Sequence, residues 1–129
     1  MSPSDVAEPL IGFRAWHVTR DGQLVPWSAS GAGAWVAGVN TAVCLARPGV
    51  RGHVAPVRRC SCGLYALMNS RDRRLQPLTQ AVGAIVAWGD VELHETGFRA
   101  QSALIVALAV PAGCDAAHVR STARRLDAT

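Results

Sequence analysis

Cys44, His53, Cys60 and Cys62 stand within nineteen positions, spaced C-x8-H-x6-C-x-C. Thiolate sulfur and imidazole nitrogen are the donors that divalent zinc prefers, and four of them close a tetrahedral structural site. One serine separates Cys60 from Cys62 and Gly63 follows, so the backbone can turn tightly enough for both sulfurs to reach one ion. The expected cofactor is zinc, with an iron-sulfur cluster as the alternative, since thiolates serve those clusters too. Two other uses of the same residues stay open. Cysteine is among the most buried residue types and could simply fill a core. A thiol near Arg58 and Arg59 could instead act as a nucleophile or redox group, because neighbouring guanidinium charge favours the thiolate.

A second group with chemical potential is Trp88, Glu92, His94 and Arg99, inside the block WGDVELHETGFRA. On a strand, Glu92 and His94 share a face while Glu95 points away. Gly89 can bulge the strand and re-aim it, presenting both signs of charge and a titratable imidazole to a polar ligand or protein partner. The plainer reading is a solvated strand face. Cys114, beside Asp115, is a structural or a reactive thiol, and His17 and His118 have no partner that the sequence names. Trp16, Trp27, Trp35 and Trp88 outnumber the two phenylalanines and one tyrosine. Such residues fill cores more often than they line ligand cages.

The frame that must position these groups is small. At 129 residues and 13.6 kDa the chain is expected to form one domain over residues 11–129, behind a flexible tail at 1–10, and a metal staple would help so small a core. Half of the residues are hydrophobic and 17% charged, with mean hydropathy +0.17, which excludes a disordered chain. The longest apolar run, Ser102 to Val110, falls short of the roughly 18 residues of a bilayer span, so no membrane contact is expected. MSPSDVAEPL lacks the basic start and apolar stretch of an export signal. The cytoplasm is therefore expected, where clustered cysteines bind metal or catalyse rather than pair as disulfides.

Net charge is +4, and all 13 basic residues are arginine. With abundant Ala, Gly and Val, this reflects a GC-rich genome more than a demand for guanidinium. The charge is nonetheless two-sided: Arg47 to Arg74 holds seven arginines against Asp72 alone, whereas Asp90 to Glu95 holds three acids and no arginine. The basic segment keeps nucleic acid as an alternative partner, although the aromatic-interleaved motifs of known nucleic-acid modules are missing.

Periodicity supplies the elements. IGFRAWHV reads as a strand with Phe13, Ala15 and His17 on one face and Arg14, Trp16 and Val18 on the other. Arg20-Asp21-Gly22 turns the chain into a second strand, QLVPW, whose Pro26 suits an edge. Ser28 to Gly38 is a glycine-rich loop carrying Trp35, and Val39 to Leu45 is a short helix or strand. Leu64, Leu67 and Met68 fall at helical spacing, which predicts a short helix over Gly63–Asn69. Val82 to Val110 reads as one long hairpin turning at Thr96-Gly97, and Asp115 to Leu126 as a C-terminal helix with arginines near its end.

Gly-Phe-Arg-Ala occurs twice, at Gly12–Ala15 and Gly97–Ala100. It is either chance in an Ala/Arg/Gly-rich chain or the trace of two similar hairpins. The motifs C-x8-H-x6-C-x-C-G and W-G-x-V-x-x-H-x-x-G-x-R-A resemble those of an uncharacterised family of small, mostly actinobacterial proteins, over roughly Gly12 to Ala103. The resemblance implies only that both motifs belong to one recurring domain; it brings no activity.

The expected fold class is α+β: a β-rich, small barrel-like or sheet core with a Cys/His metal-binding segment, a short helix after it and a C-terminal helix. The expected function is a zinc-stabilised binding or interaction module. Nucleic-acid binding through the Arg-rich segment comes next, and an enzyme using Cys60 or Cys62 with His53 or His94 comes last.

Overall fold

A computed structural model describes residues 8–20, 22–26, 34–42, 62–76 and 80–110. Six strands account for most of them: β1 (Leu10–Val18), β2 (Leu24–Val25), β3 (Asn40–Thr41), β4 (Leu64–Leu67), β5 (Ala81–Leu93) and β6 (Gly97–Ala109). Every pairing is antiparallel. β5 and β6 form the long hairpin that the apolar alternation predicts, and β1 lies along the other edge of β5 from Leu10–Ala87 to Trp16–Ala81.

β6 pairs in turn with β4, and β4 returns to β1 through the single pair Phe13–Leu67. The sheet thus runs β1-β5-β6-β4-β1 and closes on itself, which leaves fewer unpaired strand edges. Farther along, β2 continues from β1, Trp35 bridges to Leu24, and β3 pairs with Asn40 and Thr41 opposite Ala103 and Ser102 of β6. Asn40 fixes that crossing. Its Oδ1 accepts from Val36 N–H at 2.8 Å, and its Nδ2 donates to the carbonyls of Val36 and Gly38 at 3.0 and 3.2 Å.

A tightly wound sheet encloses little volume, and the core is correspondingly rich in small residues. Ala66, Ala81, Ala87, Ala100 and Ala103 are buried beside Ile85, Ile105, Phe98, Leu24, Trp16 and Trp35. The two tryptophans meet edge to face, 5.4 Å between centroids at 71°, the arrangement that aromatic quadrupoles favour. Two glycines make the packing possible. A Cβ on Gly12 would stand 2.6 Å from Ala66 Cβ and 2.7 Å from the Phe98 ring, and one on Gly83 would strike the Ala107 carbonyl and Trp16.

The α+β expectation is corrected to an antiparallel β fold. Gly63–Asn69 is no helix: Leu64–Leu67 is strand β4, and no helix of seven or more residues occurs among the described residues. A seven-residue helix has too few turns to repay its nucleation. As a strand, the same segment satisfies the facing edges of β1 and β6 and buries Ala66 while Tyr65 faces out. The remaining 3-10 turn, Arg73–Leu75, is capped by Asp72, whose carboxylate accepts from Arg74 N–H. The C-terminal stretch Asp115–Leu126 lies outside the described residues, and no described helix is long and apolar enough to cross a membrane.

Overpacking makes Gly12 a direct probe of closure. Gly12→Ala should lower the unfolding free energy in urea by about 1–3 kcal/mol. Gly38→Ala, where a Cβ meets nothing within 4 Å, should stay within about 0.5 kcal/mol of wild type.

Candidate functional site

The tip of the β5–β6 hairpin gathers three of the four residues named for binding. Gly89 adopts φ 84° at a register shift between Trp88 and Val91, and Asp90 N–H donates to Gln101 Oε1 at 3.1 Å. This is a bulge stabilised by its own side-chain acceptor. Beyond it Glu92 stands opposite Arg99, and the chain turns where His94 N–H donates to the Gly97 carbonyl at 2.8 Å.

Glu92 is the hub. Its Oε2 accepts from Arg99 Nη2 at 2.9 Å, and its Oε1 lies 2.7 Å from His94 Nε2. A carboxylate only accepts, so the Nε2 proton points to Glu92 and Nδ1 is the acceptor of the neutral ring. A carboxylate-oriented imidazole of this kind is competent as a base, or as a ligand through its second nitrogen. Arg99 Nη1 donates to the Cys62 backbone carbonyl at 2.9 Å. Exposure divides the roles: the Arg99 side chain is 4% exposed, whereas Glu92 and His94 are 33% and 39% exposed. Solvent meets the carboxylate and the imidazole, while the guanidinium lies beneath.

Tyr65 completes the surface. It stands opposite Arg99 on β4, is exposed, and tilts its ring toward His94 with centroids 6.3 Å apart. Burial by itself would pull Arg99 below its ordinary range, but the hydrogen bond to Glu92 and the Tyr65 phenol outweigh it and hold the guanidinium charged. Glu92 shifts the other way: hydrogen bonds from Arg99 and then His94 hold its carboxyl below the usual carboxylate range. The turn is tied down from outside, as Arg74 Nη2 reaches Asp72 Oδ2 at 2.8 Å and Thr96 Oγ1 at 3.0 Å. That pairing keeps the Asp72 carboxyl at about 2.

Trp88, the fourth residue, is half-buried opposite Ser102 on the far side of the bulge. Of the four residues proposed to hold metal, Cys62 is described, half-buried immediately before β4; Cys44, His53 and Cys60 lie outside the described residues. Among the described residues no three His, Cys, Asp or Glu side chains converge on a metal position. Sequence reasoning missed Tyr65, because a helix at Gly63–Asn69 hides its place opposite Arg99. It also passed over Arg14, whose alternation with Trp16 was the available signal.

No family model, curated protein or solved structure matches this chain. The geometry of its own residues carries the functional argument.

Because Glu92 titrates lower in the folded chain than in the unfolded one, its contribution to stability is complete above the unfolded value, about 4.3, and is lost as pH falls through the lower folded value. Glu92→Gln should therefore be less stable than wild type at neutral pH. Denaturant midpoints across a pH series should show the difference shrinking below about pH 4.3.

Proposed function

We propose that this protein is a small β-sheet interaction module. Its Cys44, His53, Cys60 and Cys62 side chains hold a structural zinc ion, and its partner-facing surface is the hairpin tip at Tyr65, Glu92 and His94. The observation that carries the reading is the buried Arg99 guanidinium, which bonds the Glu92 carboxylate and the Cys62 carbonyl together. One cation ties the end of the Cys/His segment to the Glu92–His94 carboxylate–imidazole pair.

The donor set of two neighbouring thiolates, a third thiolate and an imidazole suits tetrahedral zinc and leaves no open position for a substrate, so the ion acts as a clip. Chemistry at the tip selects the partner. Glu92 and the His94 Nδ1 lone pair both accept hydrogen bonds, and the exposed Tyr65 ring offers an apolar, π-bearing wall. Such a surface grips a polar group bearing N–H donors: an amide or a basic side chain.

Elemental analysis of protein purified without added metal should find one zinc per chain, and Cys62→Ser should lose it. Folded wild type without metal overturns the clip, and iron with sulfide would replace zinc by a cluster. His94→Ala and Glu92→Gln, folded and metal-loaded, should lose partners that the wild type captures; identical capture by both variants overturns the surface.

A further inference from the structure

A second arginine poses a different problem. Arg14 shares a strand face with Gly12 and Trp16, and on the edge of β1 away from β5 it falls between two pairings, Phe13 with β4 and His17 with β2. Its guanidinium carbon lies 5.2 Å from the Trp16 ring centroid and 4.7 Å from that of Trp35. The hydrogen bonds it makes all go to backbone carbonyls: Nη1 to Tyr65 at 3.1 Å, and Nε and Nη2 to Ala15 at 3.4 and 3.3 Å. Among the described residues no carboxylate reaches it. Three of the five N–H groups of a guanidinium are thereby engaged, two of them at long range on one shared oxygen. Burial pulls its pKa down to about 10, with no acid to hold it up.

Beside this cation stands a second unmet donor. Trp16 is fully buried, and its Nε1–H has no acceptor among the described residues. Buried donors and charges are ordinarily satisfied, since an unmet donor carries its full desolvation penalty and an unmatched charge a larger one. Both groups have an N–H that lacks an acceptor oxygen among the described residues, and the cation lacks a negative charge as well; an oxyanion supplies both.

We propose that Arg14, with the Trp16 indole N–H and the Trp35 ring, forms a binding site for a small oxyanion of the carboxylate or phosphate class. One oxygen would accept from the free guanidinium N–H groups and one from Trp16 Nε1, while the two indoles supply a low-dielectric wall that strengthens both bonds. Arg14 is half-buried rather than sealed, and it lies in sequence between the β4 and β2 pairings of β1. The site is independent of the zinc and hairpin-tip reading.

The test is an NMR titration of the wild-type chain, following the Arg14 Nε–H and the Trp16 indole N–H, the latter assigned with Trp16→Phe. Acetate and inorganic phosphate are added in separate arms at fixed ionic strength, with chloride as control. The expected result is a saturable shift of both resonances with at least one oxyanion and none with chloride. Arg14→Lys, which keeps the charge and loses the fork, should bind about tenfold more weakly or worse. Resonances that stay put in both oxyanion arms, or that move equally with chloride, overturn the site. Because the wild-type titration decides the matter, an Arg14 variant that fails to fold does not obscure it. Response to acetate alone assigns the site to carboxylates, and to phosphate alone, to phosphate groups.

Discussion

Strand β4 is gripped between two copies of Gly-Phe-Arg-Ala, and the rest of the molecule depends on that grip. β1 and β6 both run antiparallel to it, with Phe13 and Gly97 opposite Leu67. Each copy brings its glycine against Ala66: Gly12 faces the Ala66 side chain and Gly97 its carbonyl. Each sends its arginine to a backbone carbonyl on or just before β4, Arg14 to Tyr65 and Arg99 to Cys62. A side chain at either glycine would hold the strands apart, and without β4 the edges of β1 and β6 would stand unpaired. The echo that the sequence left open between chance and design thus has a structural counterpart on either side of one four-residue strand.

The two arginines meet the cost of burial by different means. Removing a guanidinium from water costs several kcal/mol unless its partners repay it. Arg99 is repaid by Glu92, a carboxylate exposed enough to keep part of its own hydration, and the pair then organises His94 and Cys62. Arg14 is repaid by two indole faces and three carbonyl contacts. Cation–π attraction to a desolvated arginine is worth about 2 kcal/mol or more, which holds the group in place but leaves its charge uncompensated. The same residue type therefore carries a matched charge along one edge of β4 and an unmatched one along the other.

Much of this was legible in the residues. The β1–β2 and β5–β6 hairpins followed from alternation and turn chemistry, the Gly89 bulge from a glycine inside a strand, and the Glu92–His94 pairing from a shared face. Segment Gly63–Asn69 was misread because Leu64, Leu67 and Met68 satisfy a helical period by coincidence. Only the long-range demand of two open strand edges makes it a strand, and no local window contains that demand. Arg99 was read as presenting its charge on the hairpin, and its burial was not legible. Its burial depends on Cys62 arriving from 37 positions away.

Charge arrangement gives the two candidate sites opposite preferences. At the hairpin tip Glu92 already spends one lone pair on Arg99 and one on His94, and an ionised carboxylate has about four such positions. A ligand carrying N–H donors can use the remainder without disturbing Arg99. An anionic ligand would have to compete with Glu92 for a guanidinium only 4% exposed, and success would strand the carboxylate. Around Arg14 the relation reverses, because the described groups that lack partners there are donors. Tyr65 joins the two places: its carbonyl accepts from Arg14, while its ring stands against His94 and opposite Arg99. A shift of β4 by even a fraction of an ångström would be felt by both arginines at once, since one strand supplies a hydrogen-bond acceptor to the first and a neighbouring phenol to the second.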